Sequence, residues 1–250
     1  VDNLVKTSKN TLIITILSML AAFPASADQF GGFQRLVDRP SLKPFTRDLG
    51  SLLGAATFHN GRSLGYSGFD AGIRGAYRFS PEPGNKVLRD AGVKGFGMPW
   101  VQAEIGLPLK LDGYIRGISF QGLTIAGGGL RYGLRQTDKK MDPQLLLAIS
   151  AHSVAHRHFS ASHFGANVII SIAVNDKFDP YFGIGLDRTR LVVRTIPTLD
   201  TTLEGESAET LTSRVTLGAS FRPKPYLYLH AGTTLTHGRL GLDSGVGIRF

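Results

Sequence analysis

The chain has 250 residues, no cysteine and a formal net charge of +9. Those values exclude a disulfide scaffold and a thiolate metal centre, and the length suits a single domain. The basic balance calls for acidic partners such as lipid phosphates, but the arginines are spread singly and never form a basic run interleaved with aromatics, which argues against nucleic-acid binding.

Residues 1–27 carry Lys6 and Lys9, then an apolar run from Thr11 to Phe23, then Ala25-Ser26-Ala27. These match the three parts of a secretory signal peptide, with cleavage expected after Ala27. The apolar run is about 13 residues, too short for a helix that must span roughly 20. The mature chain stays strongly basic, and no other stretch is apolar enough to span as a helix.

Residues 28–65 read as a separate small element, because a strand at Leu52 to Phe58 would make the count of strands that follow odd. Pro44 stands where a helix can begin, and Phe45, Leu49, Leu52 and Leu53 then share one helical face.

From Ser67 onward the period is two. Phe69, Ala71, Ile73 and Tyr77 alternate with Asp70, Gly72, Arg74 and Arg78, and the same split recurs in segment after segment. The predicted strands are 66–79, 98–108, 113–120, 121–136, 144–155, 162–175, 178–190, 211–222, 225–237 and 239–250. A soluble sandwich also alternates. These segments, however, run to about 10–14 residues, matching tilted membrane strands better than soluble ones. Charge keeps to the polar face, as it must where an arginine at the bilayer midplane costs about 2–4 kcal/mol. The expected fold is therefore all-β, an antiparallel transmembrane barrel of about ten strands. Residues 113–136 lack a clear turn signal, so eight or twelve strands remain open.

An even count puts both barrel ends on the periplasmic side. The long connections near 80–97 and 191–210 then fall outside and the short links fall on the periplasmic side. Glycine concentrates on the polar face, for example at Gly127, Gly129, Gly183, Gly185, Gly218, Gly232, Gly245 and Gly247, leaving volume inside. The helix of residues 28–65 is expected to lodge in or under the lumen as a plug; the alternative is a mobile periplasmic arm.

The signal-like start, the alternating strands, the loop opening at Pro81-Glu82-Pro83-Gly84 and the closing Gly245-Val246-Gly247-Ile248-Arg249-Phe250 together resemble Gram-negative outer-membrane β-barrels. The terminal Phe250 looks like the signal read by the barrel-assembly machinery in that superfamily. Gly68-Phe69-Asp70, Leu107-Pro108-Leu109 and Gly127-Gly128-Gly129-Leu130-Arg131-Tyr132 are similar to a group of uncharacterised bacterial barrels. The resemblance implies an outer-membrane location and brings no assigned activity.

The polar face collects Arg74, Arg78, Arg131, Arg135, Arg214, Arg222, Arg239 and Arg249 against Asp70, Glu104, Asp187 and Asp243, an interior about four charges positive by that count. An open aqueous path lined this way favours anions; the competing reading, favoured here, is a paired lattice that closes the lumen. His152, His156, His158 and His163 cluster around one hairpin. Imidazoles at that spacing are able to hold zinc or copper, but no cysteine or carboxylate stands nearby, and a solvated loop is the favoured reading. His158-Phe159-Ser160 resembles the His-x-Ser pair of outer-membrane lipid A deacylases, although Ala161 replaces the asparagine of that family. Neither a cofactor nor a metal is expected.

The leading functional expectation is a non-enzymatic barrel that passes or binds a small anionic or lipidic solute through a partly plugged, arginine-rich lumen. The second is a structural or surface barrel whose loops meet lipopolysaccharide or another ligand, and a lipid hydrolase is a remote third.

Overall fold

The computed structural model describes residues 28–194 and 203–250. The signal-peptide reading falls on residues 1–27, outside the described residues. Ten strands close into one antiparallel barrel in which each strand pairs with its neighbour in sequence and β1 pairs with β10. They are β1 Phe69–Arg78, β2 Phe96–Gly106, β3 Leu111–Phe120, β4 Leu123–Arg135, β5 Pro143–Ala155, β6 Phe159–Ile172, β7 Phe178–Val193, β8 Ser207–Lys224, β9 Leu227–Thr236 and β10 Arg239–Arg249. The turn missing from the sequence reading lies at Gln121-Gly122, both at positive φ (50° and 74°), so β3 and β4 separate near Phe120 and the count is ten. Closure leaves no free sheet edge. The terminal residue takes part in it, since Phe250 N donates to Phe69 O at 2.8 Å and Phe69 N to Phe250 O at 3.0 Å.

The alternation becomes two faces. Val101, Ile105, Phe164, Val168, Ile170, Phe182, Ile184, Leu186, Leu217 and Leu242 point outward and are exposed, while Asp70, Arg74, Gln102, Glu104, Arg131, Asp187 and Arg214 point inward and are buried. The connection 79–95 and the described ends of the β7–β8 connection, Arg194 and 203–206, lie at one rim, called here the loop rim. The links 107–110, 136–142, 173–177 and 225–226 lie at the other, the turn rim.

Among the described residues there are also three α-helices, α1 Phe33–Leu36, α2 Arg39–Leu53 and α3 Lys86–Arg89, and a 3-10 turn at Pro108–Lys110. The expected start of α2 at Pro44 is corrected: the helix begins five residues earlier, at Arg39. The Asp38 side chain accepts from Ser41 N at 2.9 Å, Ser41 Oγ accepts from Asp38 N at 3.0 Å, and Pro40 falls in the first turn. This reciprocal cap satisfies two otherwise orphaned donors, and a proline that early in a helix removes no needed hydrogen bond.

Candidate functional site

The N-terminal segment threads the barrel from one rim to the other. At the loop rim, Gln29 Nε2 donates to Gly97 O at 2.8 Å, and Lys86 Nζ in the 79–95 connection meets Asp38 Oδ2 at 2.5 Å. Helix α2 then descends along β7, β8 and β1, with Phe45, Leu49, Leu52 and Leu53 essentially without solvent contact. Residues 54–64 continue without regular structure, through a turn at 54–56 where Ala56 has φ 51°, to the turn rim. There Gly61 N donates to Ser171 Oγ (2.9 Å), Ser63 N to Gln136 Oε1 (3.0 Å) and Leu64 N to Asp112 Oδ1 (2.9 Å).

The lower end of α2 is held by arginines from the wall. The last carbonyls of a helix lack intrahelical partners and carry the negative end of its dipole, so guanidinium groups are favoured there. Arg78 Nη2 donates to Ser51 O at 2.6 Å, and Arg116 donates to Ala55 O at 3.0 Å and to Leu53 O. Arg116 also stacks over Trp100, 4.5 Å from the ring centroid, and its Nε donates to His152 Nε2 at 2.6 Å.

Around and below this point a lattice of charges and phenols crosses the lumen. Glu104 accepts from Arg74 at 2.5 Å, from Gln102 Nε2 at 2.6 Å, and from Arg131. Tyr228 OH donates to Asp70 Oδ1 at 2.7 Å, and His59 stacks on the Tyr228 ring at 4.1 Å. On the opposite wall Arg214 bridges Asp187 Oδ2 (2.7 Å) and Asn167 Oδ1 (2.6 Å), while His163 Nδ1 meets Thr189 Oγ1 at 2.9 Å.

The interior glycines explain how so much fits. A Cβ on Gly54 would lie 2.6 Å from the Asp187 carboxylate, and one on Gly218 would lie 2.5 Å from the Tyr181 ring. The missing side chains are therefore the room taken by the threaded segment and by inward aromatic rings.

Of the residues singled out from sequence, Arg74, Arg78, Glu104, Arg131, Asp187, Arg214 and Asp243 are buried in the lumen, and Asp243 Oδ2 accepts from Ala56 N at 3.1 Å. Arg222 and Arg249 are partly buried near the turn rim, where they bond Asp179 (2.8 Å) and Ser63 O (3.0 Å). Arg239 reaches Ser80 and Pro81 O at the loop rim. Arg135 does not line the lumen: β4 and β5 change register between Gly133 and Arg135, and the exposed guanidinium pairs with Asp142 at 2.7 Å.

The expected positive interior is also corrected. Among the described residues, the buried arginines are Arg74, Arg78, Arg116, Arg131 and Arg214. They face buried Asp48, Asp70, Glu104, Asp112, Asp179, Asp187 and Asp243. The difference arises because several counted arginines sit at the rims, whereas Arg116, Asp112 and Asp179 escaped the count. Their inward parity on β3 and β7 was the available signal.

The four-histidine hairpin is not solvated. His152, His156, His158 and His163 are each 6% exposed or less, with Arg116 against His152, Phe159 against His156 and Thr189 against His163. Phe159 in turn packs against Phe33 and Phe45, with ring centroids 4.8 and 5.3 Å away. Burial holds the His156 imidazole down at about 4, so it is neutral at ordinary pH. Among the described residues no group of three metal-ligating side chains gathers. His158 Nε2 is buried without a hydrogen-bond partner, so it does not bond Ser160, and activation of that serine as a nucleophile has no geometric support.

Closed antiparallel pairing, an even strand count, an apolar outside and a polar inside define the outer-membrane class of β-barrel. No family model matches the chain, and no curated protein matches it. Among solved structures it is similar to the N-terminal β-barrel domain of OprF from Pseudomonas aeruginosa, at 12% identity over 74% of this chain and 99% of that one, with a TM-score of 0.38. It is similar also to Ail, the attachment invasion locus protein of Yersinia pestis, at 11% identity, the same coverage and a TM-score of 0.37. Neisserial surface protein A shows 15% identity over 73% of this chain and 95% of that one, with a TM-score of 0.32. At such low identity and score, the barrel assignment stands on the strand pairing of this chain itself.

Proposed function

We propose that the chain is a non-enzymatic outer-membrane barrel closed at rest by its own residues 28–64, and that a small solute passes only when this segment is displaced. The loop rim then faces outward and the turn rim faces the periplasm. The single observation that carries closure is the seating of the lower end of α2, whose terminal carbonyls are bonded by Arg78 and Arg116 from the barrel wall. The outward apolar face supports the membrane setting, because in water it would be an exposed patch far larger than a monomer tolerates. Export through residues 1–27 and assembly through a terminal strand ending in Phe250 belong to the same reading.

Planar-bilayer recording tests closure. The full chain is expected to be silent, and removal of residues 28–64 is expected to give steady conductance from a chain that keeps heat-modifiable mobility. A folded deletion variant that stays silent would remove the reading.

A second reading, a surface-interaction barrel, draws on the loop rim. There Arg39 meets Glu206 at 2.5 Å, and Arg47 meets Glu82. These pairs tie Glu82 and Glu206, one from each long connection, to the threaded segment.

A further inference from the structure

The outward face of the strands is almost free of charge. From β1 to β6 and in β9 and β10, the outward positions carry none, apart from Arg135 beyond its register shift. Apart from Lys224, which ends β8 at the turn rim beyond its own register shift, the exceptions gather on two adjacent strands near the loop rim: Arg188 and Arg190 on β7, and Glu209 on β8, which pairs in register with Arg190. Arg194 follows with the same outward parity. Its backbone N donates to His158 O at 2.8 Å, which brings it beside the exposed Arg157 of the β5–β6 turn.

The height of this patch is set by the strand. Phe178, Phe182, Ile184 and Leu186 form the outward apolar side of β7. Arg188 stands ten residues beyond Phe178, which is ~33 Å along a strand rising 3.3 Å per residue. At a tilt of about 40° that is ~25 Å along the barrel axis, the height of the apolar band of such barrels. Arg188 therefore reaches the outer headgroup level. It is bonded to Glu209 at 2.6 Å, whereas among the described residues no salt bridge holds Arg157, Arg190 or Arg194.

We propose that Arg190 and Arg194, flanked by Arg157 and Arg188, form a lipid-facing site for the phosphate of an anionic outer-leaflet lipid. The site extends the membrane reading and depends on it. Guanidinium groups suit phosphate because their fork of donors matches two of its oxygens, and their aliphatic stems lie along acyl chains while the heads reach the headgroup. Glu209 bonds Arg188 and also stands opposite Arg190, but one carboxylate against four guanidinium groups leaves the patch with a surplus of positive charge for the lipid.

The test uses the full chain folded in detergent and native mass spectrometry, with bisphosphorylated lipid A, its fully dephosphorylated form and inorganic phosphate as probes. The unaltered chain is expected to bind the bisphosphorylated lipid at least tenfold more tightly than the dephosphorylated one, a preference that inorganic phosphate does not displace. Arg190→Gln/Arg194→Gln is expected to reduce that ratio to within about threefold, while Lys139→Gln/Lys140→Gln at the turn rim leaves it unchanged. Equal binding of both lipids, an undiminished ratio in the arginine variant, or displacement by inorganic phosphate overturns the proposal. Should the double variant not fold, the comparison of the two lipids on the unaltered chain still decides it. Failure of the membrane reading itself shows differently, as a chain without a heat-modifiable folded form in detergent.

Discussion

Near the loop rim the inward faces carry Met98 and Trp100 on β2, Leu123 and Ile125 on β4, and Leu191 and Val193 on β7. Towards the turn rim the same three strands carry Gln102 and Glu104, Arg131, and Asp179. The change in wall chemistry follows the change in what is threaded past it. Helix α2 satisfies its own backbone hydrogen bonds and offers Phe45, Leu49 and Leu52, so an apolar wall suits it. Residues 56–64 continue no such ladder of backbone bonds, and most of their buried N–H and C=O groups must find partners in the wall. Asp243, Ser171, Gln136 and Asp112 supply acceptors, and Arg116 supplies donors.

The two halves should therefore fail differently. In the polar half Glu104→Ala leaves Arg74 and Arg131 facing each other without their shared carboxylate. Breaking a buried pair from one side costs about 3–5 kcal/mol, to be read from denaturant unfolding in detergent. In the apolar half Phe45→Ala removes the ring that meets Phe30, Phe33 and Phe159. A loss of about 3 kcal/mol is expected, with no change in salt dependence; a loss that grew with salt would blur the distinction.

Asp48 sits where the halves meet the loop rim, and burial raises its carboxyl to about 6 although Asn85 and the Glu82 backbone donate to it. Because the folded value exceeds the unfolded one of 3.8, this group's stabilisation is complete below about pH 4 and is lost as pH rises through 6. Asp48→Asn is expected to be more stable than the parent by about 3 kcal/mol at pH 7 and no different near pH 3.5, since each tenfold change in proton affinity is equivalent to ~1.4 kcal/mol. His156 is lowered, so its contribution is present above 6.5 and is lost as pH falls through about 4. His156→Gln should accordingly show a pH difference of the opposite sign. The smallest effect is expected outside both halves. Lys140→Ala removes an exposed pair with Asp176 at 3.1 Å and should change stability by less than about 0.5 kcal/mol.

Strand number, order and outward face were legible because an exposed apolar stripe and a period of two leave a strong pattern in residues such as Val168, Ile170 and Ile184. The apolar inward residues Met98, Trp100 and Ile125 were not legible as partners of a threaded helix, since period-two reasoning assigns apolar side chains to the lipid face. Burial of the histidine hairpin was missed for a related reason. His156 packs on Phe159, and Phe159 is itself covered by Phe33 and Phe45 from residues more than a hundred positions earlier, which no local pattern reports. The inward glycines did carry information, because the volume they leave is the volume the segment and its aromatic neighbours occupy.

Occupation of the lumen by the N-terminal segment is tested most directly by a disulfide between Gly61→Cys and Ser171→Cys, in a chain that has no other cysteine. A Cβ at Gly61 would lie 3.0 Å from Ser171 Oγ, within reach of disulfide geometry. Threading predicts near-complete cross-linking on mild oxidation of the folded, membrane-inserted protein. Two free thiols, both labelled by a water-soluble maleimide, would contradict it.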